Sequence, residues 1–410
     1  MTICKVWDAD YPWDVRVEKV CASLRREHEV HLVSRNTQRR SRYERHDGIH
    51  IHRLPTLSWL PKRANAVMGF PAFFNPLWIR AIGQTARRCG AGVLIVRDLP
   101  LALTALLVAR ARKIPLILDL AENYPAMIQD LWSTDQFRFR NLLVRNPRLV
   151  HLVERISVRQ ADHILVVVDE SKERLIGMGV PASKITVVMN TPAGERVKGE
   201  DVDAKPSIDR SQDELVLVYL GMLEVPRGLG TVIQAVREVR HLRPRVRLVV
   251  MGSGRDERYF REEARRIGVS DRVEFRGWVE HDEALACVSR CDVGLVPHHV
   301  TESWQTTIPN KLFDYMSMGK PVIVSNARPT DRIVTSERCG VVFRDRDARG
   351  LAEAIVSFAD RGVREEYGRR GRNAVRCTYN WETDERRLLG AVRQVANGAR
   401  QFGQAEEETA

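Results

Sequence analysis

Two stretches of the chain combine a cation with the start of a helix, an arrangement that can bind a diphosphate. In LVLVYLGMLEVPRGLGTVIQA an apolar run ends at Gly221, a loop carries Arg227, and Gly228 opens a helix whose first amides lack partners. In TESWQTTIPNKLFDYMSMGKP, Thr307 is placed to cap a second helix with Pro309 in its first turn, which puts Lys311 there too. An Arg and a Lys from separate loops would stabilise the negative charge that a diphosphate gains as it leaves. Taken singly, each motif also reads as a solvated surface charge after a strand. Gly252, in MGSGRDE, marks a turn that a ligand can approach, but GSG is not the GxGxxG of a dinucleotide site. No GKS or GKT follows a glycine loop, so a Walker-type triphosphatase is unsupported. Asp8 with Asp10, Asp201 with Asp203 and Asp345 with Asp347 form DxD triplets that read as chance matches rather than a magnesium site. His298 and His299 adjoin no carboxylate at ligand spacing and read as cleft-side or surface histidines, so no metal site is indicated.

Such loops need strands behind them. Short apolar runs (ICKVW, VHLVS, GVLIV, PLILDL, ADHILVVV, KITVVMN) alternate with amphipathic ones up to Asn190, the pattern of a parallel sheet with crossover helices. Residues 191–212 are polar and aperiodic and read as a linker. The alternation restarts with ELVLVYLG, RLVVMGSG, VEFRGWV, CDVGLVP, KPVIVS and CGVVF. The fold class expected is α/β: two doubly wound units, 1–190 and 213–380, whose strand ends face a central cleft. A tail over 398–410, ending in Glu406, Glu407 and Glu408, is expected to be disordered.

The chain has 410 residues and a net charge of +12, which favours an anionic ligand or surface. The excess is local: residues 1–190 hold 29 Lys or Arg against 18 Asp or Glu, and the remainder holds 36 against 35. Six arginines lie in 35–53 and six in 137–159, reading either as solvated faces or as an anion-facing surface. Between them Trp59, Phe70, Phe73, Phe74 and Trp78 crowd a stretch, uncharged from Ala64 to Ile79, that suits either a lipid interface or packing on the core. No run of about 18 apolar residues is present, and Asp8, Asp10 and Asp14 interrupt the place of a signal peptide's apolar core, so a cytoplasmic location is expected. Seven scattered cysteines without a CxxC pair read as reduced thiols.

These residues resemble a known family. YPWDVRVEKV, LDLAENYP, ADHILVVVDESKERLIGMGVPASKITVVMN, VEFRGWVEHDEALACVSRCDVGLVP and PNKLFDYMSMGKPVI are together similar to the glycosyltransferase family 4 enzymes, and the last string resembles one branch of it. The resemblance implies the GT-B fold and sugar transfer, with retention, from a nucleotide-diphosphate sugar. Unit 1–190 would bind the acceptor, unit 213–380 the donor, and a helix over 381–397 would cross back to brace the first unit. Arg227 falls at the Lys of the family's diphosphate-binding pair, Asp314 at the second acidic position of its Glu-seven-residues-Glu motif, and Trp278 and Val279 where the backbone meets the base. Glu122 lies on the acceptor-side loop, where Asp14 and Arg16 are also expected. Met222 stands where the family has Arg and Thr306 where it has the first Glu, so Lys311 and Glu302 are the candidate replacements.

The implied partners are a UDP-sugar donor and a lipid-diphosphate-linked glycan acceptor held at the anionic inner leaflet, with peripheral attachment to the membrane. No divalent metal and no nucleic acid is expected. A nucleotide-sugar epimerase of the same fold and a basic nucleic-acid-binding protein are the competing classes, although no reading motif for nucleic acid occurs.

Overall fold

The computed structural model describes residues 1–12, 14–71, 73–134, 146–193 and 213–407, with backbone alone at 131–134 and 399–407. Most of the expected linker, the start of the second basic stretch, Trp13 and the last three residues of the tail lie outside the described residues. Contacts divide the chain into two compact units, Met1–Met189 with Asp384–Ala410, and Asn190–Thr383.

The first unit is built on strands β1 (Thr2–Val6), β2 (Glu29–Ser34), β3 (Tyr43–His46), β4 (Ile49–Arg53), β5 (Val93–Arg97), β6 (Leu116–Leu120), β7 (His163–Val166) and β8 (Ile185–Val187). They form one sheet in the order β3-β4-β2-β1-β5-β6-β7-β8, parallel throughout except for the β3–β4 hairpin. Every residue of β5 and β6 is buried, because helices cover both faces of a parallel sheet; such strands read as unbroken apolar runs.

A cluster of buried charges nevertheless ties this sheet to a helix. Asp119 of β6 is fully buried and takes the Arg16 guanidinium at 2.6 Å and the Lys5 ammonium of β1 at 3.4 Å. Arg16 also donates to the carbonyls of Val188 and Met189, at 2.9 and 3.3 Å. One carboxylate thereby ties the helix Val15–Leu24, two strands and the segment leaving β8.

The second unit contains β9 (Glu214–Leu220), β10 (Arg245–Met251), β11 (Val273–Gly277), β12 (Val293–Val296), β13 (Val322–Ser325) and β14 (Gly340–Phe343). Its all-parallel order, β11-β10-β9-β12-β13-β14, reverses direction between β9 and β12. Ligands of doubly wound sheets bind outside the strand ends at such a reversal.

The last helix differs from expectation: it runs Trp381–Glu407 without a break, so the tail expected to be disordered from 398 is helical as far as Glu407. Ala, Arg, Gln and Glu are strong helix formers, and their low apolar content hid this. Within the first unit this helix is held by Arg26 to Glu385 and Arg393 to Glu27, each at 2.7 Å.

Candidate functional site

Because β9 and β12 are neighbours, the loops leaving their carboxyl ends lie side by side. The first, 221–228, carries Arg227 in a single 3-10 turn and leads into the helix Leu229–Glu238. The second, 297–310, leads into the helix Lys311–Ser317. Glycines allow the backbones to touch. A Cβ on Gly228 (φ +76°) would sit 1.7 Å from the Pro297 carbonyl oxygen, and one on Gly252 (φ +139°) would sit 1.9 Å from that of Gly221. Gly221 N–H donates to Met251 O at 2.9 Å and Gly252 N–H to Gly277 O at 2.7 Å, so three strand ends form one edge. Just past that edge lie Trp278, 67% exposed, and the half-buried Val279.

Lys311 is buried at this edge. Its Nζ lies 3.9 Å from the Tyr219 ring centroid and 3.4 Å from where a Cβ on Gly221 would stand. Tyr315 fixes its helix by accepting the Leu220 N–H at 2.8 Å, its ring packed against the bare Cα of Gly294. No acceptor among the described residues meets the Lys311 ammonium. Burial drives its pKa well below the usual lysine range, and the charge of Arg227 adds to the shift.

The Arg227 guanidinium lies 5.6 Å from the Trp304 ring centroid and has loose contacts with Glu224 at 3.7 Å and Met222 Sδ at 3.6 Å. Trp304 packs on His298, centroids 4.2 Å apart. His298 is buried with neither ring nitrogen hydrogen-bonded, and burial, then Lys311 and Arg227, push its pKa well below the usual range. Three nitrogen groups therefore crowd one strand edge, two of them with unmet hydrogen-bonding capacity. An anion entering there would meet unsatisfied donors and would favour the charged form of the Lys311 amine.

Some expected positions move. Thr307 does not cap the following helix; its hydroxyl donates to Ser303 O at 2.7 Å, the N-cap is Asn310, and Pro309 stays outside. A carbonyl four residues back outcompetes the helix amides for that hydroxyl. Thr306 similarly donates to the carbonyl of Glu302 at 3.3 Å, leaving the Glu302 side chain exposed on the loop. Asp314 is half-buried in the first turn of the helix. His299 does meet a carboxylate, Asp345, at 2.7 Å, which sequence spacing could not reveal across 46 positions. Asp347 caps the helix Ala348–Ser357, so both aspartates of that DxD triplet have structural tasks.

In the first unit the reversal lies between β1 and β5. Asp14 caps the helix Val15–Leu24, accepting from Val17 N–H at 2.9 Å, and pairs with Arg97. Arg97 also donates to Asp98 at 3.2 Å and lies 4.7 Å from the Trp7 ring centroid. Asp98 accepts the Ala121 N–H at 2.9 Å, and Glu122 is exposed on the same loop. Nearby, burial and then the Asp98 charge push the Asp8 carboxyl up to about 6. Arg16, expected on the acceptor side, is only 2% exposed and committed to Asp119, so it cannot contact an acceptor.

A family model for glycosyl transferases group 1 matches residues 214–361, and one for a glycosyl transferase 4-like domain matches 14–191. The chain belongs to this glycosyltransferase family. Among curated relatives of this glycosyltransferase, glycogen synthase of Mycobacterium tuberculosis is 26% identical over 242 residues, 58% of this chain and 55% of the relative. The chain thus spans about half the length of the curated relatives it matches first. Among solved structures, sucrose-phosphate synthase from Thermosynechococcus elongatus superposes with a TM-score of 0.76 at 18% identity, over 97% of this chain and 99% of that one. Anabaena HepE in complex with UDP gives 0.67 at 14% identity, over 96% and 100%. The fold of the glycosyltransferase is therefore GT-B, with two Rossmann-like sheets.

Sequence reasoning missed several residues of both edges of the glycosyltransferase. His298 reads in the sequence as a cleft-side or surface histidine without its partner, and Trp304 was legible only as an isolated aromatic six residues on. Asp8, Arg97 and Asp98 carried a signal that could have found them: all lie at or just past the carboxyl ends of β1 and β5, the two strands beside the reversal.

Proposed function

We propose that the enzyme moves a hexosyl or N-acetylhexosaminyl group, with retention, from a UDP-sugar to a hydroxyl of a lipid-diphosphate-linked glycan. The observation that carries this reading is the buried Lys311 ammonium, without an acceptor and beside Arg227, at the reversal of the second sheet. A diphosphate entering there supplies the missing negative charge. As the glycosidic bond breaks, that charge grows, and Arg227 and Lys311 stabilise the transition state more than the ground state. The departing phosphate oxygen takes the proton of the acceptor hydroxyl on the same face, so the enzyme needs to supply orientation and charge rather than a nucleophile.

In this reading Gly221 and Gly252 let the donor approach the backbone, Trp278 and Val279 meet the base, and Asp314 meets the ribose. Glu302, Thr306 and Thr307 line the loop on the sugar side. Asp14, Glu122 and Asp8 offer carboxylates to acceptor hydroxyls. The UDP complex of HepE supports uridine as the base.

Exposed groups of the first unit support a membrane-bound acceptor. Trp78 belongs to the core and Phe73 packs against it, but Trp59 and Phe74 are 76% and 63% exposed. On the helix Pro147–Gln160, exposed Leu149, Leu152 and Ile156 alternate with exposed Arg148, Arg155 and Arg159. Apolar and cationic groups on one face suit the surface of an anionic leaflet.

The test is incubation of the purified enzyme with radiolabelled UDP-sugars, with and without a bacterial lipid extract. Label transferred to the lipid fraction, and persisting in chelator, is the expected result. A chemically changed nucleotide sugar without transfer would identify an epimerase, and unchanged donor in every combination would reject both.

A further inference from the structure

Away from both strand-end edges described above, the outer part of the first sheet carries an array of histidines that the transfer reaction does not use. The hairpin β3–β4 turns through Asp47 and Gly48, both at positive φ (+49° and +76°), as a two-residue turn requires. Across the parallel β2–β4 pair, His31 stands directly opposite His50. Side chains two apart in a strand share a face, so Glu29 and His31 on β2 and His50 and His52 on β4 project together.

Three possible ligand atoms come close together here, and a modest turn of the stacked rings would aim both nitrogens at one point. The His31 and His50 rings stack with centroids 4.5 Å apart and planes 8° from parallel. Their Nε2 atoms both turn to Glu29 Oε1, at 3.1 and 3.7 Å, and the three ligand atoms lie within 4.8 Å of one another. The remaining polar atoms are already engaged: His31 Nδ1 with His52 Nε2 at 2.9 Å, His50 Nδ1 with the Tyr43 hydroxyl at 2.8 Å, and Glu29 Oε2 with Thr2 Oγ1 at 3.4 Å. Metal-binding histidines are held in this way, with the far ring nitrogen hydrogen-bonded so that the near one is aimed.

We infer that Glu29 Oε1, His31 Nε2 and His50 Nε2 bind one divalent transition-metal ion of the zinc class, with water completing the coordination. Two imidazoles and one carboxylate match zinc, whereas magnesium and calcium require sets made almost wholly of oxygen. Glu29 is the first residue of β2, so the ion sits toward the amino-terminal end of that strand, opposite the end where Asp8, Asp98 and Glu122 gather. It fastens the hairpin to β2 and takes no part in transfer. The spacing E-x-H followed by H-x-H is legible in EVHLVS and GIHIHR, but only the strand pairing aligns the two halves.

Chelator-stripped, tag-free protein dialysed against zinc chloride is expected to take up one ion per chain. Glu29→Gln and His50→Ala should each weaken zinc binding by at least about tenfold. His46→Ala, which removes an exposed histidine of the same hairpin, should leave it unchanged. Cobalt(II) should give the visible absorption of a low-coordinate nitrogen and oxygen site, lost in the same two variants. Glu29 is more than half exposed, so its substitution tests the site without emptying the core. Failure of the wild-type chain to bind zinc stoichiometrically, undiminished binding in either ligand variant, or an equal loss in His46→Ala would overturn the inference.

Discussion

At the reversal of the first sheet the cations are paired: Arg97 lies among Asp14, Asp98 and the Trp7 ring, and Arg16 and Lys5 share Asp119 behind it, although burial and the Asp98 charge push Asp8 up. The reversal of the second sheet is built the other way, with Lys311 and His298 buried without acceptors and Arg227 close enough to depress both. Both edges come from the same architecture, so topology is not the cause of the difference. Removing one partner of a compensated cluster strands a buried charge, whereas an uncompensated buried amine costs stability as it stands, and in the proposed reading a diphosphate completes it. Substitutions that pull stability and activity in opposite directions therefore separate the two regions.

The largest stability effect is expected at the compensated cluster. Asp119→Asn leaves two buried cations without their carboxylate and should cost about 3–5 kcal/mol, read from urea unfolding. Burial alone would raise the Asp119 carboxyl, but Arg16 and then Lys5 overcome it and hold it well below the usual aspartate range. A carboxyl lowered by folding contributes stability above the unfolded aspartate pKa of about 4, and that stability is lost as pH falls toward the folded value. The wild-type chain should thus lose stability with acidification below that point, and the Asn variant should show a shallower slope. An unfolding midpoint unmoved by the substitution would mean that the buried pairs do not hold the unit together.

At the second edge the largest effect should fall on turnover. Arg227→Ala is expected to lower kcat by about a hundred- to a thousandfold, the cost of removing one charge-stabilising donor, while UDP affinity falls much less. Equal losses in kcat and in UDP binding would show that Arg227 holds the donor without acting on the transition state.

Lys311→Met gives the sharpest contrast with Asp119→Asn. An apolar group of similar length replaces a buried charge, so stability should rise by about 1–4 kcal/mol while turnover falls. Anion binding should raise the depressed Lys311 pKa, so UDP binding takes up protons between the free and bound values and weakens as pH rises through the bound one. Calorimetry in buffers of different ionisation enthalpy measures that uptake, and Lys311→Met should reduce it. A Met variant that is less stable than wild type would show that the ammonium already has compensation within the fold.

The parts of this contrast that were legible in the sequence are those written in apolar pattern. VLIVR and LILDL are buried along their length and ELVLVYL at all but its two ends, and the order of such runs points to two doubly wound sheets. The β3–β4 hairpin escaped because YERH has no apolar alternation and IHIHR only two isoleucines, Ile49 and Ile51, although its Asp-Gly turn was present to be read. Arg227 and Lys311 were legible from loop position. Whether a charge is compensated was not, since compensation depends on pairs such as Arg16 with Asp119 that lie 103 residues apart. That is why Arg16 and Arg227, both cations beside a strand end, read alike and fold into opposite roles.

The outer surfaces extend the comparison with smaller energies. On the helix Glu257–Arg266 of the second unit, Arg258, Arg261 and Arg266 each meet a glutamate of their own helix, at 2.7, 2.8 and 2.6 Å. On the helix Pro147–Gln160 of the first unit, Arg148, Arg155 and Arg159 meet no carboxylate among the described residues and flank exposed leucines. A cation already paired on its helix has little to gain from an anionic surface, whereas a free one near such a surface contributes about 1 kcal/mol. Arg155→Gln should therefore weaken partitioning onto vesicles containing anionic lipid by about fivefold, and Arg258→Gln should leave it within error. Neutral vesicles should bind both variants and the wild-type chain equally weakly. If Arg155→Gln partitions as the wild type does, the unpaired arginines of the first unit are solvated charges, and the lipid-bound acceptor loses its electrostatic support.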